Sequence, residues 1–160
     1  LNVVTSLEET NKPVPGPVRV RQVALYAVAA FVSLIGLADS IYLTVEHLAG
    51  RSVRCTIVAG CSAVLASPYA SWRGVPLALI GAFAYFLVFS LATLAAFGYK
   101  VVGKVLAALV AGMFLTTLWL LYLQAFVIKA FCQFCLLSAL VTLVLTVLIA
   151  AASRARAIHS

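Results

Sequence analysis

Cys132 and Cys135 form a Cys-x-x-Cys within Phe131-Cys132-Gln133-Phe134-Cys135-Leu136, at the mouth of an uncharged run that continues to Ser153. Two thiols at this spacing can close to a disulfide and reopen, which is two-electron chemistry. The chain has 4 cysteines, and the other two, Cys55 and Cys61, lie together in its longest polar loop. Two separated cysteine pairs in a very apolar chain point to electron traffic at a membrane surface.

The pattern predicts Cys132 in the first turn of a helix, where unpaired N–H groups and the positive end of the macrodipole stabilise an anion. The thiolate, the species that attacks disulfides, is then easier to form. Cys135 falls one turn deeper on the same face, within reach of an apolar electron acceptor. Cys55 and Cys61 sit on a loop able to meet a soluble dithiol outside and then swing toward Cys132. Exchange runs through mixed disulfides, so a Cys61–Cys132 bridge is the expected intermediate. Cys61, at a helix start, suits that contact better than Cys55. The same four cysteines also suit two structural disulfides in a non-enzymatic membrane protein. A four-cysteine zinc site fits the count, but Cys55 and Cys61 lack ligand-like spacing and such a cage needs no bilayer.

The elements that must position these thiols follow from composition. Hydrophobic residues make up 65% of the 160-residue chain and charged residues 9%, far from the soluble average. A soluble domain of this size has no core large enough to hide that surface, so the solvent is lipid. The net charge of +7 comes from basic residues at the ends of apolar runs. That placement reads as membrane topology and anionic-lipid contact, not nucleic-acid binding.

Runs at 22–45, 75–99, 105–128 and 131–153 are each long enough for a bilayer crossing, which takes about 20 residues. Asp39 is the one charge inside the first. None carries a polar stripe, so they are spans and not surface helices. The short links after the second and third make those helices antiparallel neighbours. The expected fold class is therefore an all-α integral membrane four-transmembrane-helix bundle, with an extracytoplasmic loop bearing a short helix. Its membrane domain covers 22–153 and its outer loop 46–74. A disordered N-terminal tail at 1–21 and a tail at 154–160 flank it. Glu8, Glu9, Pro13, Pro15 and Pro17 mark the first tail as disordered. A cleaved signal peptide is the rival reading of Arg19 and Arg21 before an apolar stretch, but that stretch runs well past a signal-peptide core.

In the loop, 61–67 is a short helix candidate between Gly60 and Pro68. Val64, Leu65, Tyr69 and Trp72 suit anchoring at the interface. Gly74-Val75-Pro76 reads as a turn that places the proline in the first turn of the second span. Lys12, Arg19, Arg21, Lys100, Lys104, Arg154 and Arg156 fall on one side; Arg51, Arg54, Arg73 and Lys129 fall on the other. The positive-inside rule puts both termini in the cytoplasm of a plasma (inner) membrane protein. All four cysteines then fall on the oxidising side, where disulfide chemistry belongs.

An ordered set of residues between Gln22 and Ser153 resembles the vitamin K epoxide reductase family in its bacterial form. It comprises Asp39-Ser40-Ile41-Tyr42-Leu43, Cys55, Gly60-Cys61, Val64, Ser67-Pro68-Tyr69-Ala70, Gly74-Val75-Pro76-Leu77, Gly81, Tyr85 and Phe131-Cys132-Gln133-Phe134-Cys135. The resemblance implies a four-helix bundle enclosing a quinone (ubiquinone or menaquinone), with Cys132–Cys135 as the active-site disulfide. It makes Cys55 and Cys61 the shuttle pair, Cys61 exchanging with Cys132, and Cys135 the quinone-proximal thiol. Ser67 matches a family serine near the active site, a partner for a quinone oxygen or a thiolate; capping the loop before Pro68 is the other reading. Phe134, Ile128 and Leu77 are expected on the pocket wall. Alanine at 70 and 139, where the animal enzymes carry polar and tyrosine side chains, favours simple quinone reduction over epoxide reduction. Many bacterial relatives carry a fused thioredoxin-like domain; here the sequence ends at Ser160, and a separate extracytoplasmic thioredoxin-like partner is expected. The unrelated disulfide-bond formation protein B family performs the same overall reaction, but its Cys-x-x-Cys belongs to the first outer loop.

Asp39 is expected about six residues, or roughly 9 Å of helical rise, from the outer end of its span. An acid inside a membrane span is a functional candidate by default, here for positioning the outer loop or relaying protons. Glu46 and His47, at the loop start, read as solvated. Tyr122, Phe131 and Phe134 suit either flanking a quinone ring or anchoring at the interface.

Overall fold

The structure, a computed structural model, describes residues 17–50 and 60–157. Cys55 and most of the two expected tails lie outside the described residues.

Helix α1 covers Pro17–Leu48. It begins inside the stretch expected to be tail, because proline's fixed φ and missing N–H suit the first helical position. Its 32 residues rise about 48 Å, more than the hydrocarbon thickness of about 30 Å. The outer segment then folds in three pieces. Helix α2 (Cys61–Leu65) leads to a 3₁₀ turn at Pro68–Ala70, and a two-stranded hairpin pairs β1 (Ser71–Trp72) with β2 (Val75–Pro76). Arg73 (φ 52°) and Gly74 (φ 83°) make its turn; positive φ at both central residues matches the twist of the flanking strands.

That hairpin corrects the expectation for Pro76. The residue pairs with Ser71 and stands as N-cap of α3 (Leu77–Ala96), one position before the first helical turn. Its missing N–H is tolerated in a two-residue edge strand. Helix α4 (Lys100–Tyr122) continues into a wider π-helical segment at Leu123–Ile128, and α5 covers Gln133–Ala157.

Among the described residues, four stretches are long and apolar enough to cross a bilayer: Val20–Leu48, Leu77–Ala96, Val101–Ile128 and Gln133–Ala155. The expected four-span all-α bundle is the fold. Phe31, Phe83, Leu115 and Val147 point outward, a surface that would aggregate in water and that lipid covers.

Small residues let the helices approach closely. Ala29, Ala92, Ala95 and Ala152 are buried with Tyr26, Tyr85, Leu106 and Leu145 in the main core, the way membrane helices associate without a hydrophobic driving force. Tyr85 of α3 lies across Gly36 of α1, where a Cβ would come within 2.5 Å of its ring. The Tyr85 hydroxyl meets the Ser138 hydroxyl at 2.7 Å, the Thr142 hydroxyl at 3.0 Å and the Ser138 carbonyl at 3.0 Å. One side chain thus ties α1, α3 and α5 together. A second cluster, at the other end of the bundle, gathers Leu43, Cys61, Val64 and Cys132.

Candidate functional site: a dithiol between a buried cysteine and an apolar cavity

The corner between α4 and α5 positions the Cys-x-x-Cys. Lys129 ends the π-helical segment in the left-handed region (φ 54°), and its N–H bonds back to the Gln124 carbonyl. The Ala130 N–H reaches the same carbonyl at 3.2 Å. Three residues later Cys132 opens α5, its carbonyl accepting the Leu136 N–H at 3.0 Å. A residue whose carbonyl takes the first intrahelical bond while its side chain stands outside the helix is an N-cap. Cys132 is therefore one position earlier than the expected first turn, with a stronger consequence. Its sulfur faces the open N–H groups directly.

The Cys135 thiol hydrogen-bonds the Cys132 sulfur, and the backbone N–H groups of Cys135 and Phe134 do the same. Against the cost of burial, these bonds lower the Cys132 thiol to about 7, below the ordinary thiol range. The Cys132 N–H donates to Gln124 Oε1 at 3.2 Å, and the Gln124 side chain also bonds Cys135. Gln124 is buried and joins both cysteines to the end of α4. Sequence reasoning missed it, although an amide near the end of an apolar span is a recognisable signal. π-helical turns also recur at functional sites.

Cys61 and Cys132 pack in the same cluster, at 1% and 0% exposure. Gly60 makes that approach possible: a Cβ there would lie 2.5 Å from the Phe131 carbonyl oxygen and 2.7 Å from the Phe131 nitrogen. Cys61 is disulfide-bonded, while Cys132 and Cys135 are free thiols. Cys55 lies outside the described residues.

Cys135 opens in another direction. It lines a cavity of about 480 Å³ in the bundle, walled by α1, α3, α4 and α5 and bordered by the outer segment. Its volume lies within the range of small-molecule sites, and most of its lining is apolar. Leu77, Ile128 and Ser67 are on its wall, as are Ala70 and Ala139. The Ser67 hydroxyl donates to the Val64 carbonyl at 2.7 Å, so its proton closes the end of α2 while its oxygen remains at the cavity.

Phe134 requires a correction. It is absent from the wall and its ring packs on Tyr42, with centroids 5.2 Å apart, because it projects to another side of α5 from Cys135. Tyr122 stacks on Trp119 and meets Phe126 at a tilt on the outer face, and Phe131 also stands off the wall. Val64 and Leu65 pack inward against the cysteine cluster instead of anchoring at the interface, and His47 lines the cavity. Asp39 is on the wall at 7% exposure, with no hydrogen-bond partner for either carboxyl oxygen. Helix α1 runs on to Leu48, so Asp39 lies roughly 13 Å of helical rise from its end, deeper than expected.

A reactive dithiol at the top of a four-span bundle, one thiol against a second cysteine and one on an apolar cavity, invites comparison with known families. Residues 27–150 match the profile of the vitamin K epoxide reductase family. The chain belongs to the vitamin K epoxide reductase family. The match runs from the first turns of α1 to the last turns of α5, and so takes in both cysteine pairs. With its four apolar helices, this vitamin K epoxide reductase family member is a multi-pass membrane thiol–disulfide oxidoreductase.

Proposed function

We propose that the protein oxidises a thioredoxin-like dithiol partner on the extracytoplasmic face and delivers the electrons to a membrane quinone, driving disulfide formation there. One observation carries this reading: the two thiols of the Cys-x-x-Cys open on different neighbours. Cys132 packs against Cys61, and Cys135 lines the apolar cavity.

The order of exchange follows. The partner dithiol reduces a Cys55–Cys61 disulfide through a mixed disulfide. The Cys61 thiolate then attacks the Cys132–Cys135 disulfide at Cys132, and Cys135 leaves as the new thiol. Cys55 attacks Cys61, restoring the shuttle disulfide and releasing Cys132. A bonded Cys61 beside free Cys132 and Cys135 is the arrangement after that transfer. Two structural disulfides would instead close both pairs.

The cavity suits a quinone ring in volume and in apolar lining, and its buried Asp39 carboxyl has no protein partner. Leu77, Ile128 and Ala139 would hold the ring, with the Ser67 oxygen at its edge. A bound quinone, ubiquinone or menaquinone, supplies a two-electron sink. The chain's own part is to hold Cys135 at the cavity wall and to keep Cys132 as a thiolate at its N-cap. Alanine at 70 and 139 leaves that wall without polar side chains at those positions, which favours quinone over epoxide as substrate.

The test is quinone reduction by the purified protein, driven by a reduced thioredoxin-like dithiol protein. Cys135→Ala is expected to abolish turnover, because no second thiol remains to close the disulfide. Undiminished turnover in that variant would remove the mechanism.

A further inference from the structure

Reducing a quinone to a quinol takes two electrons and two protons. Closing the Cys132–Cys135 disulfide from one thiolate and one thiol releases two electrons but a single proton. If quinone is the acceptor, one proton is missing at the cavity in each turnover.

Asp39 is the group placed to give it. Its carboxyl lines the same cavity as Cys135, is 7% exposed, and has no hydrogen-bond partner for either oxygen. Among the described residues on that wall there is no lysine or arginine to pair with it. An ionised carboxylate without a partner in apolar surroundings is costly. The neutral acid avoids that cost and carries an O–H to donate.

The other titratable groups on the wall are His47 of α1, Tyr69 of the outer segment, Tyr85 of α3 and Cys135 of α5. Tyr85 is committed to Ser138 and Thr142, and His47 stands in the last turn of α1. Cys135 gives its own proton in the disulfide step. Among the described residues of the wall, Asp39 alone is both deep in the cavity and uncommitted.

We propose that Asp39 is the acid that completes quinone reduction, its O–H bond breaking as an oxygen of the reduced acceptor takes the proton. The resulting carboxylate recovers a proton from water before the next turnover. Atoms and electrons then balance: thiolate, thiol, carboxylic acid and quinone give disulfide, carboxylate and quinol. This inference rests on the quinone reading above.

Infrared spectroscopy of the reduced protein in lipid nanodiscs tests it. A carboxylic-acid C=O band is expected in the wild type and absent in Asp39→Asn. In a single turnover with decylubiquinone that band should vanish as the disulfide closes. The single-turnover rate should fall by about 10²- to 10⁴-fold in Asp39→Asn, the usual contribution of a positioned general acid. Asp39→Glu, with the same acid on a longer arm, should recover part of it. A reduced wild type without the band, or an asparagine variant at the full wild-type rate, overturns the proposal. Should Asp39→Asn fail to fold, the wild-type band and its loss in turnover decide alone. Quinone reduction surviving Cys135→Ala would instead remove the dithiol route while leaving the Asp39 band in place, so the two failures are distinguishable.

Discussion

At the residue scale the protein turns on the difference between two cysteines three positions apart. Cys132 caps a helix with its sulfur, and the Cys135 thiol together with the N–H groups that an ordinary cap would bind with an oxygen favours its thiolate. A thiol lowered to about 7 is half ionised near neutral pH, and its reactive fraction grows as pH rises through that value. In a Cys55→Ser, Cys61→Ser background, thiolate ultraviolet absorbance is expected to show a first titration with its midpoint near 7. A first midpoint in the ordinary thiol range near 8.5 would mean that the Cys135 thiol and the cap N–H groups do not stabilise the anion. The cap was nearly legible in the sequence, because a Cys-x-x-Cys at the start of an apolar run suggests a helix N-terminus. Gln124 was not. Its role depends on a π-helical turn that widens the end of α4, and no local pattern in Leu123–Ile128 announces one.

At the element scale the outer segment packs Cys61 against Cys132 at the start of α5. Its seating depends on Gly60, where backbone meets backbone and no side chain can swing aside. Gly60→Ala should therefore lift α2 away from the corner at Ala130–Phe131. In a Cys55→Ala, Cys135→Ala background, the trapped Cys61–Cys132 mixed disulfide should drop several-fold on a non-reducing gel when Gly60→Ala is added. An unchanged yield would show that the two cysteines meet by some other movement of the loop. This segment was only partly readable in advance. The short helix at Cys61 follows from its flanking Gly60 and Pro68. The hairpin does not, because its turn places an arginine, Arg73, in the left-handed region that sequence patterns reserve for asparagine or glycine. Phe134 was misplaced for a related reason: hydrophobic type alone does not reveal which side of α5 a ring will choose.

At the scale of the whole molecule, lipid does what a core does in a soluble protein. Hydropathy made the four crossings legible to within a few residues at most ends, since every backbone polar group in hydrocarbon must be satisfied within its own helix. The depth of Asp39 was less visible, because α1 keeps its helical hydrogen bonds beyond the apolar run and on to Leu48. Orientation rests on the distribution of lysine and arginine, and it yields a direct expectation. With the native cysteines replaced by serine, Ser71→Cys should react with a membrane-impermeant maleimide in intact cells, and Lys104→Cys only after lysis. The reverse pattern would turn the bundle over and place the dithiol in the cytoplasm.

The complete burial of Cys132 has a consequence for traffic through the protein. A wire carrying current past an abundant pool of small thiols must be insulated, or the pool will short-circuit it. Leu43, Cys61 and Val64 form that sheath. Among the described residues, the thiols within reach of the buried sulfur are Cys135 of its own pair and Cys61 packed beside it, so bulk thiols have no direct collision route to it. In the proposed relay, throughput is then governed by which dithiol proteins can dock at the outer segment, and the proposed acceptor is shielded from idle drain by the surrounding redox buffer.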